Sequence, residues 1–156
     1  MLDNHFMLAV NPHQNNSLGK RKGRILIIDE DELTCDFLAS IIKLIGFECE
    51  MVKTVEQAVV VLEKTVFDLL ITDFHLPNTK EFLETSLEKY PHLQTILMVN
   101  RRRFIFESMP LPGAVFVQKP FNFDDIVQKI QRAFHTRNVQ QTETQIQRLR
   151  HDIFRF

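Results

Sequence analysis

VFDLLITDFHLP, residues 66–77, is the stretch on which the reading of this chain turns. The run Phe67 to Thr72 delivers one carboxylate, Asp73, and Pro77 four residues later halts any simple continuation as strand or helix. Apolar runs of this length are typical of strands covered on both faces, which belong to parallel sheets. Ligands of such sheets gather beyond the carboxyl ends of the strands, so Asp73 stands where chemistry is expected.

The same pattern recurs on either side. Upstream, Ile25 to Ile28 is a short β-branched strand followed at once by Asp29, Glu30, Asp31 and Glu32. Leu33, Phe37, Leu38, Ile41, Ile42 and Ile45 then recur at helical spacing, and Gly46 closes the segment. Phe47 to Val52 alternates apolar with acidic residues, which predicts an edge strand. Thr54 and Gln57 resemble a capping box ahead of a helix whose apolar face holds Ala58, Val59 and Leu62, up to about Thr65.

Downstream, Phe82, Leu83, Ser86, Leu87 and Tyr90 supply a third helical face ended by Pro91, and Thr95 to Val99 is a buried strand ending on Asn100. After three arginines from Arg101 there is room only for a short helix before PLPG. Ala114 to Gln118 is the fifth strand, ending at Lys119-Pro120, and Asn122 caps a helix through Ile126, Val127, Ile130 and Phe134. Five strands alternating with helices predict the α/β class: a five-stranded parallel sheet, doubly wound by right-handed crossovers.

At 156 residues the chain is one domain's worth with tails. The expected division is a flexible leader over 1–23 ending in Lys20, Arg21 and Lys22, a folded domain over 24–136, and a helical extension over 137–156. In the extension Val139, Thr142, Ile146, Leu149, Ile153 and Phe156 alternate at spacings of three and four, a short coiled-coil seam. Pairing as a homodimer and folding back on the domain explain that stripe equally well.

A hydrophobic content of 44%, a charged content of 25% and a net charge of −1 give no polyanion-binding field, so no nucleic acid contact by this domain is expected. Cys35 and Cys49 read as two buried, reduced thiols. No run is long enough for membrane insertion, and the N-terminal FMLAV is too short for a secretory core, so a cytoplasmic protein is expected.

In such a sheet the ends of strands one, three, four and five open on one edge, which brings Asp29, Glu30, Asp73, Asn100 and Lys119 into one neighbourhood. Three carboxylates close together repel and stay ionised only beside compensating charge. Lys119 supplies one cation, and a hard divalent ion, Mg2+, is the natural second. His75 lies at the lip, more readily a spectator than a tuning group, and the other histidines form no ligand spacing.

IIDED after strand one, LLITDFHLP around strand three and FVQKPF at strand five together resemble the receiver domain of bacterial two-component response regulators, over Ile25 to about Phe134. The resemblance implies a flavodoxin-like (βα)5 receiver fold and phosphoryl transfer to Asp73 from a sensor histidine kinase or histidine phosphotransfer protein. It implies that Asp29, Glu30, Asp73 and the backbone carbonyl of His75 hold Mg2+, that Lys119 neutralises the phosphoryl group, and that Phe116 is the aromatic switch. Asn100 stands where the family usually has Thr or Ser, and an amide can donate the same bond. The output implied is contact with a downstream protein target, with no enzymatic activity beyond the domain's own phosphorylation and dephosphorylation.

Two other readings remain open at this point. One is a pseudo-receiver that binds partners or dimerises without phosphorylation. The other is a phosphatase using Asp29 as nucleophile within Asp29-Glu30-Asp31, although the Gly-Thr that usually follows that motif is missing.

Overall fold

The computed structural model describes residues 22–100 and 114–153. The strands are β1 (Arg24–Ile28), β2 (Glu48–Val52), β3 (Leu69–Asp73), β4 (Gln94–Asn100) and β5 (Val115–Lys119). Between and after them run α1 (Glu32–Leu44), α2 (Val55–Lys64), α3 (Thr79–Lys89) and α4 (Phe123–Ile153). All strand pairs are parallel, in the order β2-β1-β3-β4-β5. β2 lies at an edge with its acids exposed, as its alternation predicts.

Because successive strand residues point to opposite faces, the sheet divides its apolar residues between two cores. Ile25, Ile27, Leu69, Ile71, Ile96, Met98 and Val117 meet α1 and α4, while Leu26, Ile28, Leu70 and Leu97 meet α2 and α3. Helices therefore cover both faces, which is the doubly wound arrangement.

Local chemistry sets the helix ends. Asp31 caps α1 by accepting from the Thr34 amide, and Gly46 adopts φ 92 just beyond its last turn. At α2 the Thr54 hydroxyl accepts from the Gln57 amide, but the Gln57 side chain reaches back to the amide of Lys53 rather than to that of Thr54. Asn78, with φ 65, turns the chain into α3, and the Asn122 side chain accepts from the Asp125 amide at the start of α4.

Three sequence expectations need correction. Leu33, Phe37 and Val59, read as core-facing, are exposed, and the buried positions of α1 include Cys35 and Ala39 instead. A helix on a sheet buries one side only, and the apolar periodicity here contains two adjacent stripes. The third strand begins at Leu69, not Phe67, because the Asp68 carboxylate turns inward to accept from the Arg24 amide at 2.7 Å. Cys49 is half-buried rather than buried, as an edge strand allows.

At the edge of the sheet away from the strand ends, the rings of Phe47 and Phe134 stack with centroids 4.3 Å apart. They close over Gly23, where an added Cβ would lie 2.6 Å from Phe47 Cδ1 and 2.8 Å from Phe134 Cε1. The helix beginning at Phe123 continues unbroken through Ile153. The expected leader up to residue 21 and the short helix after Arg101 lie outside the described residues.

Candidate functional site

The carboxyl ends of β1 and β3 are adjacent in the sheet, on either side of the point where strand order reverses. β1 delivers Asp29 there and β3 delivers Asp73, while β5 brings Lys119 across from beyond β4. The Lys119 amine donates to Asp29 Oδ2 at 2.6 Å and to Asp73 Oδ2 at 3.4 Å. One ammonium thus bridges two carboxylates.

The remaining oxygens are held by backbone. Asp29 Oδ1 accepts from the Asp31 amide at 2.9 Å, and Asp73 Oδ1 accepts from the His75 amide at 2.9 Å. Both carboxylates are thereby oriented by the turns that follow their strands. The two differ in access: the Asp29 side chain is 1% exposed and the Asp73 side chain 16%. Asp73 is the one an incoming group can reach.

The electrostatics follow from this geometry. Burial pulls the Lys119 pKa down, but the hydrogen bond and charge of Asp29, followed by those of Asp73, outweigh it and hold the amine above the ordinary lysine value. Beneath the site the Cys35 thiol donates to the Asp29 carbonyl at 3.4 Å, and its pKa is pushed up to about 11, by burial first and then by the Asp29 charge. That thiol is a packing group, not a nucleophile.

Of the residues singled out from sequence, Asp29, Asp73 and Lys119 meet directly. Glu30 is exposed beside them, outside the ion-paired set. Asn100 joins through its backbone: its amide donates to His75 Nε2 at 3.1 Å, which ties the loop after β3 to the end of β4. This bridging role of the His75 ring is absent from the sequence reading, since it links positions 25 apart in the chain. Phe116 is half-buried and packs against the core on the α2 and α3 side.

Among the described residues no three His, Cys, Asp or Glu side chains converge as a ready-made metal cage. Magnesium does not require one: it takes one or two carboxylates and fills its octahedron with waters and phosphate oxygens. Asp29 and Asp73 present hard carboxylate oxygens of that kind on adjacent strand ends, so the donor chemistry fits. Among the described residues no helix is long and apolar enough to cross a membrane.

Comparison with known proteins gives a consistent result. A family model described as the response regulator receiver domain matches residues 25–131. The response regulator protein FleR of Pseudomonas aeruginosa is 30% identical over 105 residues, covering 63% of this chain and 22% of that protein, so the chain spans about a fifth of its relative's length. A CheY-like receiver domain protein from Methanospirillum hungatei superposes with a TM-score of 0.70 at 25% identity, covering 77% of this chain and 99% of that one. NtrX from Brucella abortus shares the fold with a TM-score of 0.73 at 20% identity, over 81% of this chain and 29% of that one.

Proposed function

The chain belongs to the response regulator receiver family, and from that premise we propose that it accepts a phosphoryl group on Asp73. The observation that carries the reading is the asymmetry of the two carboxylates bridged by Lys119: Asp29 is sealed and Asp73 is accessible. The same asymmetry argues against Asp29 as a phosphatase nucleophile. The alternative of a receiver acting without phosphorylation gains no support over this reading.

In the proposed step an Asp73 carboxylate oxygen forms a bond to phosphorus while the bond from phosphorus to a phosphohistidine nitrogen breaks, the imidazole leaving with the electron pair. Lys119 stays protonated throughout and offsets charge on the phosphoryl oxygens. The His75 amide fixes the Asp73 carboxylate for attack. Mg2+ held by Asp29, Asp73 and the His75 carbonyl, with Glu30 reaching it from the surface, would supply Lewis-acid neutralisation of the same oxygens. We assign Asn100 to donate its side-chain amide to the transferred group and half-buried Phe116 to repack in response.

The phosphodonor is a histidine kinase or phosphotransfer protein in the cytoplasm. Exposed Leu33 and Phe37 on α1 offer it an apolar surface, together with Phe121, two residues past Lys119, whose ring lies 6.0 Å from that of Phe37. Output is contact with a downstream protein and association with a second copy through the outer half of α4.

Intact mass after incubation with acetyl phosphate and Mg2+ tests the reading. One added phosphoryl group on the wild type and none on Asp73→Asn is the expected result. An unmodified wild type that also fails to bind beryllofluoride would sink it.

A further inference from the structure

The outer half of α4 carries its apolar stripe on the side opposite the one that docks on the sheet. At about 100° per residue, buried Ile126, Ile130 and Ala133 point in one direction. Ile146 and Leu149 fall on the opposite side of the same unbroken helix, and in sequence Val139, Thr142 and Ile153 continue their spacing of three and four. The second stripe is therefore no continuation of the packing against this chain's own sheet. Ile146 and Leu149 are 45% and 61% exposed. The docked half also relieves the outer half of the cost of nucleating a helix, which otherwise makes a seam of so few turns marginal.

We propose that this stripe pairs with the same stripe of a second copy, with the two helices antiparallel. The inference rests on the self-association named above and specifies its geometry. The alternating three and four spacing is the period of a self-pairing seam, with Val139, Ile146 and Ile153 at its a positions and Thr142 and Leu149 at its d positions.

The flanking charges choose the orientation. The e positions are Glu143 and Arg150, and the g positions include Asn138 and Gln145. A parallel pair sets g against e of the other helix, giving Asn138 beside Glu143 and Gln145 beside Arg150, with no opposite charges. An antiparallel pair sets e against e. With the two-fold axis between Gln147 and Arg148, Ile146 packs on Leu149 of the second copy and Glu143 lies beside its Arg150, twice over. Within one helix Glu143 and Arg150 stand about 10 Å apart along the axis, too far to satisfy each other, and both are exposed.

Sedimentation equilibrium of the full chain tests this. The wild type should dimerise, and Leu149→Glu should be monomeric with its helical circular dichroism intact. Glu143→Arg and Arg150→Glu should each weaken the dimer about tenfold by setting like charges together at two places. The Glu143→Arg/Arg150→Glu double variant should restore it. A wild type that stays monomeric at the highest soluble concentration, or a Leu149→Glu variant that still dimerises like wild type, overturns the use of this face altogether. A dimer insensitive to both single reversals, or one the double variant fails to rescue, overturns the antiparallel geometry alone.

Discussion

Replacing Lys119 by Met keeps most of the side chain's length and removes its charge. The amine sits 2.6 Å from Asp29, where two unit charges at an effective dielectric of 20 attract by about 6 kcal/mol. The Asp73 contact at 3.4 Å adds about 5 kcal/mol on the same footing. Desolvation of the sealed Asp29 and the partial exposure of the other two groups offset most of this. The expected net loss on removing the cation is about 2–4 kcal/mol, because a buried carboxylate is left uncompensated.

In a chelator at neutral pH the variant should therefore melt roughly 8–16 °C below wild type. The pH dependence is fixed by Lys119's raised pKa. A group whose folded-state pKa lies above its unfolded value contributes stability that is fully present below the unfolded value and lost as pH rises through the folded one. The gap between wild type and variant should thus stay constant from about pH 6 to about pH 9 and close only above the ordinary lysine value of 10.5. Adding Asp29→Asn to the variant should recover most of the loss, a coupling of about 1.5 kcal/mol or more. Urea unfolding of the wild type, the Lys119→Met and Asp29→Asn single variants and the double variant measures it. A Lys119→Met variant within about 0.5 kcal/mol of wild type would refute the argument that one ammonium holds these carboxylates together.

Other perturbations probe the scaffold. Gly23→Ala places a methyl group 2.6 Å from the Phe47 ring and should cost about 1–3 kcal/mol; an unchanged unfolding midpoint would show the stack yields freely. Thr95→Val should stabilise the chain by up to about 1 kcal/mol, since the buried Thr95 hydroxyl has no hydrogen-bond partner among the described residues; a lower midpoint would contradict this. The Cys35 thiol, buried and pushed up to about 11, should resist alkylation near neutral pH until the chain unfolds. Prompt labelling of Cys35 in the native state, read by peptide mass, would count against that burial.

Much of this was legible in the sequence because strand ends are local statements. Asp29, Asp73 and Lys119 each terminate an apolar run, and parallel topology alone carries three such ends to one edge. Which side of α1 faces the sheet was not legible: Leu33 and Phe37 fit a helical stripe as well as Cys35 and Ala39 do, and only the strands' placement chooses. Contacts between distant positions were equally hidden. Nothing in the residues around His75 announces an acceptor for the Asn100 amide, and nothing around Gly23 announces two rings from Phe47 and Phe134. Glu30 was read as a site residue from its place after Asp29, and its exposure sets it apart from the paired acids.

The cover over Gly23 has one practical consequence. α4 starts four residues past Lys119 and reaches the opposite edge of the sheet at Phe134, so the two ends of its docked half touch different parts of the molecule. Side chains of graded size at position 23 act as wedges of graded thickness under the helix root, touching neither the carboxylates nor the seam. A glycine, alanine and serine series there is a dial for the seating of α4, turned from the far side, with which any dependence of the helix on events at Asp73 can be separated from chemistry at Asp73 itself.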